Sequence, residues 1–309
     1  MCDLLISTAM PTLNELAPNR EYWTTLHDYL HTPAYRLRLL ASGPQSQVEA
    51  RIEDGPTNTG AYELEPVSQD KLPLPAGIHF YRSQDLNVLN REKDWRRGPQ
   101  KVSTKNGNIF FFLGCQRGSR DARTQQISNR SLDAVRAQLK LMETLVGTIT
   151  LEGIPQVYGI VTDSSSVKDH PGSSMHPADG SEQRIAGILL TWIPQGKNLV
   201  EIIPALAALD EHEVNLKIQA WIKRIGGAIE YLHNEGIFLG GRTDWRYLNQ
   251  YTVLVDSQWQ PWLNVSYVTR MADVSAEEAK EGNEADVVAL NHLFGDWLPE
   301  EVAKKRSSA

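Results

Sequence analysis

The chain has 309 residues, 41% of them hydrophobic and 22% charged, and a formal net charge of −7. That apolar share can bury a sizeable core in one bilobal unit or two domains. The acidic balance excludes a general nucleic-acid surface, which needs a basic patch against phosphate. Two cysteines, Cys2 and Cys115, exclude a disulfide framework, and no CxxC or Cys/His cluster suggests zinc. The opening MCDLLISTAM lacks a basic segment and carries Asp3, which makes it a poor signal peptide. No apolar run reaches the length of about 18 residues that suggests a membrane span. A cytoplasmic protein with neither nucleic acid nor membrane as partner is therefore expected.

In chain order, residues 1–75 read as an N-terminal extension and linker. A short helix is predicted over 19–30, and residues 35–40 could continue it. From 42 to 75 the composition shifts to Gly, Pro, Ser, Thr and acids, which predicts loop, because few apolar groups offset the ordering entropy. Residues 76–195 read as a strand-rich lobe. Ile78 to Tyr81 and Asn108 to Leu113 are predicted strands, the second after an Asn106-Gly107 turn. A helix follows, with Asn129 or Ser131 as its cap, running through Val135, Leu139, Met142 and Leu145. Two further strands, 155–161 and 184–194, bracket a loop rich in Ser, Gly and His.

Residues 196–309 read as a smaller helical lobe. Ile218, Ile222, Ile225, Ile229 and Leu232 recur at three- and four-residue steps, so one stripe of a helix ending near His233 must be buried. Gly236 stands where a positive φ can end it. Residues 236–239 and 251–256 read as strands. Residues 267–282 are polar, a helix is predicted over 284–294, and a basic disordered tail follows Leu298.

This order resembles the protein-kinase-like superfamily, and in particular small, degenerate kinase-like proteins of fungi. The resemblance rests on Gly159-Ile160-Val161, Leu189 to Pro194, Tyr231-Leu232-His233-Asn234-Glu235-Gly236-Ile237, Val253 to Asp256 and Asp286. It implies an α+β, bilobal kinase-like fold with a strand-rich N-lobe (76–195), a truncated helical C-lobe (196–309) and an N-terminal extension. It implies that Leu190, Thr191 and Trp192 form a hinge whose backbone would meet an adenine, and that Asp286 holds the catalytic-loop backbone.

Phosphoryl transfer needs a loop over the phosphates, a lysine on them, a catalytic carboxylate and metal ligands. No GxGxxG precedes the Phe110–Phe112 strand, and Arg96-Arg97-Gly98-Pro99 and Lys105-Asn106-Gly107-Asn108 read as ordinary turns. The strand offers Phe112-Leu113 where the lysine is expected, and Glu143 sits late for its glutamate partner. The catalytic loop has two registers. Counted from Leu232-His233, the aspartate position falls at Gly241, which cannot accept a proton. In the other, Asp244, Arg246 and Asn249 match D-x-K-x-x-N and supply a base, a cation and a metal-binding amide. At the second metal position Asn264 replaces the usual aspartate, or Val265 does if the register slips by one. An amide brings no net charge to magnesium.

The reading that follows is a pseudokinase-like protein, non-catalytic for phosphoryl transfer, which binds a protein partner or a small molecule in the inter-lobe cleft and needs no cofactor. The alternative is a repurposed or atypical enzyme on the same fold. It would be a small-molecule phosphotransferase using Asp244, Arg246 and Asn249 with ATP and magnesium, or a non-phosphoryl enzyme acting on an apolar metabolite. His170, His176, Asp169 and Asp179 read as a solvated loop, and most of the eight tryptophans as packing.

Overall fold

In the computed structural model the apolar stripe at 218–232 becomes one face of a 24-residue helix, Glu211–Asn234. The structure describes residues 15, 23–30, 34–42, 47–57, 72, 74–89, 100–115, 130–144, 152–163, 184–239, 248–265, 268–270 and 273–308. In chain order the elements are α1 (Leu26–Leu30), β1 (Ala34–Ser42), β2 (Gln47–Thr57), β3 (His79–Arg82), β4 (Leu86–Val88), β5 (Lys101–Thr104) and β6 (Ile109–Gly114). Next come α2 (Arg130–Thr144), β7 (Val157–Asp163), β8 (Arg184–Thr191), β9 (Lys197–Asn198), α3 (Leu199–Ala207) and the long helix, α4. After it follow β10 (Ile237–Leu239), β11 (Val253–Val255), β12 (Pro261–Leu263), β13 (Val268–Arg270) and α5 (Ala276–Asn291). A π-helix (His292–Trp297) and α6 (Leu298–Ser307) complete the series.

The fold is α+β. A six-stranded sheet of order β3-β7-β8-β6-β5-β4 forms one lobe, mixed only because β3 pairs with β7 in parallel. It carries two apolar clusters. Leu26, Leu86, Val102, Phe110, Phe112 and Leu189 make one. Val135 and Leu139 of α2 pack with Ile160, Ile185 and Ile188 in the other. The helix expected to follow the Phe-rich strand is thus α2, and it covers the sheet. Residues 192–196 then lead into the helical lobe.

That second lobe is organised by α4. The Asp210 side chain caps it by accepting from the amide of Glu213 at 2.7 Å, and Gly236, at φ +71°, turns the chain out of it. Its buried stripe, Val214, Ile218, Trp221, Ile225, Ile229 and Leu232, lies under the β11–β12 hairpin, whose Val253, Val255 and Leu263 belong to the same core. β9 pairs with the other side of β11, tying the inter-lobe connection to this hairpin. Ile222, expected in the stripe, is only partly buried.

Several expectations are corrected. Residues 34–57 are not helix followed by linker but an antiparallel hairpin, β1 with β2, in which Leu37 stands opposite Ile52. Leu26, Tyr29, Leu30 and Leu72 sit in the apolar clusters of the sheet lobe. Helix α5 begins eight residues before the expected Glu284, at Ala276, because Ser275 and Glu278 close a reciprocal capping box. The residues after Leu298 are helix rather than a disordered tail. Val302 is buried, and the Arg306 guanidinium donates to the carbonyls of Ala207 and Leu209 at the end of α3. Among the described residues no helix is long and apolar enough to cross a membrane.

Candidate inter-lobe site

The hinge residues sit where β8 leaves the sheet. Leu190 is buried and stands opposite Phe111, and Thr191 stands opposite Phe110. The Thr191 amide donates to the Gln156 carbonyl at 2.9 Å, while its hydroxyl oxygen accepts from the Gln156 amide at 2.8 Å. That amide is therefore already satisfied within the protein and is not presented to a ligand. Trp192 is half-buried, with the Lys101 ammonium 4.8 Å from its ring centre, within cation–π reach. Lys101, on β5, is a cation beside the hinge that the sequence reading did not single out. Below the hinge the carbonyl of Pro194 accepts from Ser257 at 3.1 Å, and the Gln195 backbone is left-handed, at φ 53°.

Two lobes meet through Gln138 of α2, which is 3% exposed. Its Nε2 donates to the carbonyl of Val265, just past β12, and its Oε1 has no hydrogen-bond partner. Val265 itself is fully buried. Nearby the amide of Leu263 donates to the Gly153 carbonyl at 2.6 Å, and Ile154 and Leu141 enter the helical core. Of the two registers for the second metal position, one therefore puts an apolar core side chain there and the other an exposed asparagine. The Asn264 amide donates to the Thr252 carbonyl at 2.8 Å.

Asn249 lies close by in sequence to the same threonine. Its Oδ1 accepts from the Tyr251 amide and its own amide donates to the Thr252 hydroxyl, both at 2.9 Å. The side chain thus makes an Asx turn that folds the approach to β11. Thr252 is the link that brings Asn249 and Asn264 into one turn-and-strand unit. Asp244 and Arg246, and Gly241 of the other register, lie outside the described residues, as do Arg96-Arg97-Gly98-Pro99 and the His170/His176 loop. Lys105 to Asn108 form the hairpin turn between β5 and β6, with Gly107 at φ +83° and Lys105 paired to Asp85 at 2.6 Å. Glu143 is exposed on α2.

Asp286, 1% exposed, faces the end of α4 and the start of the loop beyond. It takes a hydrogen bond from the Leu239 amide and shares one with His233 Nε2, both at 2.9 Å. Burial pushes its carboxyl above the ordinary range, against the opposing effect of His233 and the Leu239 amide. Close approach makes this possible. Gly282 on α5 lies against the Phe238 ring so tightly that a Cβ there would stand 2.4 Å from Cδ2.

A second polar cluster escaped the sequence reading because its members are far apart in the chain. Ser83 and Asp163, both buried, hydrogen-bond at 2.5 Å, and His27 Nδ1 lies 3.0 Å from the same carboxylate oxygen. The Ser83 hydroxyl also lies 3.4 Å from His27 Nδ1, so all three groups meet around one imidazole nitrogen. That nitrogen serves both contacts rather than bridging them through the ring's two nitrogens, and the cluster clips α1 to the sheet. Among the described residues no group of three or more His, Cys, Asp or Glu could hold a metal ion. The described donors fit magnesium poorly for a chemical reason as well. The Asn249 side-chain oxygen and the Val265 carbonyl are both neutral donors, which bring no net charge to magnesium.

The class these features define is an α+β, two-lobed protein in which strand, helix, strand, strand and helical lobe follow in the order the kinase resemblance implies. No family model and no curated protein matches the chain. Among solved structures it is similar to one described as the Neurospora crassa PAN3 pseudokinase, at 16% identity and a TM-score of 0.35, over 63% of this chain. The match spans 40% of that structure's chain.

Proposed function

We propose that this chain is a pseudokinase-like module that does not transfer phosphate and that engages a protein partner or a small molecule through the cleft between its lobes. The observation that carries this reading is the Gln138–Val265 junction. A neutral carboxamide donating to the carbonyl of a buried valine holds α2 against the helical lobe. Mg-ATP chemistry asks for a carboxylate on metal in this region and a cation neutralising the phosphates. At this junction a triphosphate would meet an amide and an apolar side chain, neither of which carries a compensating charge. The satisfied Thr191 amide and the Lys101–Trp192 pair favour a ligand that reads the surface of the cleft over one that hydrogen-bonds to the hinge backbone.

The test is a thermal-unfolding screen of the full chain with ATP and GTP, with and without magnesium, repeated on Asp244→Ala. A ligand at a hundredfold its Kd stabilises the folded state by about 2.7 kcal/mol, so binding is easy to see. No magnesium-dependent nucleotide shift is expected in either protein. A rise seen only with magnesium and lost in Asp244→Ala would replace this reading with an atypical phosphotransferase using Asp244, Arg246 and Asn249.

A further inference from the structure

The helical lobe holds a cavity of about 500 Å³, remote from the hinge in sequence and built by different elements. One wall is the approach to β11, with Leu248. The other is the C-terminal half of α5 and the π-helix, with Ala285, Val288, Ala289, Leu293 and Trp297. Its volume falls in the range of about 300–1,000 Å³ found for small-molecule pockets, which are mostly apolar with a few polar groups.

The π-helix is what shapes this wall. In an α-helix five residues carry a side chain about 140° round the axis, so His292 and Trp297 would face different ways. Here the Leu298 amide reaches back five residues to the Leu293 carbonyl. Bonding of that span brings positions five apart toward one face, and both His292 and Trp297 line the cavity. Such segments are rare and recur at functional sites.

The lining also states what the ligand must be. Among the described lining residues none is Lys, Arg, Asp or Glu. His292, on the rim, is paired with Asp296 at 3.3 Å. The Asn249 side-chain oxygen accepts from the Tyr251 amide, and the Gln250 main-chain carbonyl accepts from the Leu199 amide. Against the described lining a charged ligand would lose its hydration without gaining a counter-charge. Val288, which lines the cavity, stands 66% exposed, and a ligand seated there would cover apolar surface. We propose that this cavity binds an uncharged, predominantly apolar small molecule, at a site that shares Asn249 with the approach to β11 and otherwise lies on α5 and the π-helix.

The probe is N-phenyl-1-naphthylamine, which is uncharged and emits strongly only in apolar surroundings. Titrated into the full chain, it should give a saturable rise at one equivalent. Ala289→Phe, which fills the cavity, should abolish the rise. Val288→Asp, a change at an exposed position that leaves folding intact, should weaken binding at least tenfold. Leu216→Ser, an exposed leucine on α4 outside the lining, should leave it unchanged. No saturable rise, an equal affinity in Val288→Asp, or saturation only by an amphipathic peptide and not by the probe would each overturn the proposal.

Discussion

Gly282→Ala sets two effects of similar size against each other. Replacing glycine by alanine inside a helix stabilises by about 0.8–1 kcal/mol, because glycine loses more backbone freedom on folding. At Gly282 the new methyl would stand 2.4 Å from Cδ2 and 2.5 Å from Cε2 of Phe238, whose ring is fully buried between α5 and β10. Contacts that short require movement, and a ring with no solvent side has nowhere easy to go. Overpacking of this kind costs about 1–3 kcal/mol, and the depth of the overlap argues for the upper end. The net expectation is a loss of about 1–2 kcal/mol. Gly227→Ala is the matched control, since it lies inside α4 with nothing within 4 Å of the new methyl. It should gain about 0.5–1 kcal/mol. Urea denaturation of the two variants beside the parent measures the contrast directly. If Gly282→Ala stabilises as much as Gly227→Ala, then α5 does not press on β10 as described, and the seat of Asp286 against Leu239 loses its support.

Other outcomes follow from single residues. Because burial raises the Asp286 carboxyl above its ordinary value of 3.8, the folded chain holds that proton more tightly than the unfolded one. Its contribution is greatest below the unfolded value and is lost as pH rises through the raised folded value. Urea midpoints of Asp286→Asn should therefore fall less steeply over that window than those of the parent, and an unchanged slope would contradict the assignment. The Cys115 thiol, pushed up to about 12 chiefly by burial, should resist a neutral-pH disulfide reagent in a Cys2→Ser background until denaturant is added. Fast labelling of the native chain would refute it. Arg306→Ala removes two bonds to the end of α3 and should cost about 1.5–3 kcal/mol, again by urea denaturation, whereas no loss would mean the terminal helix is not docked there.

How far the sequence reached depended on the range of the interactions involved. The α4 stripe was legible because 3.6-residue periodicity is local, and Gly236 marked its end for the same reason. The Asn106-Gly107 hairpin was legible in two residues. The start of α5 was legible in principle, since Ser275-Ala276-Glu277-Glu278 has the spacing of a capping box, but the polarity of the segment hid it. The α6 residues look like a solvated tail because only Leu298 and Val302 are buried there, and their anchor is Arg306 reaching carbonyls 99 and 97 positions away. The β1–β2 hairpin was misread because Gly, Pro and acids within 47–57 suggested loop, and cross-strand pairing supplied what local propensity did not. Gln138 was beyond sequence reasoning for the same cause: its meaning lies in a bond to Val265, 127 positions on.

Calorimetric titration of the full chain with Mg-ATP tests the proposed non-phosphorylating reading most directly. No saturable heat is expected, and Gln138→Glu, which sets a carboxylate against the Val265 carbonyl, should not create any without unsettling the lobe junction. A stoichiometric, magnesium-dependent binding heat in the unmodified chain would contradict it.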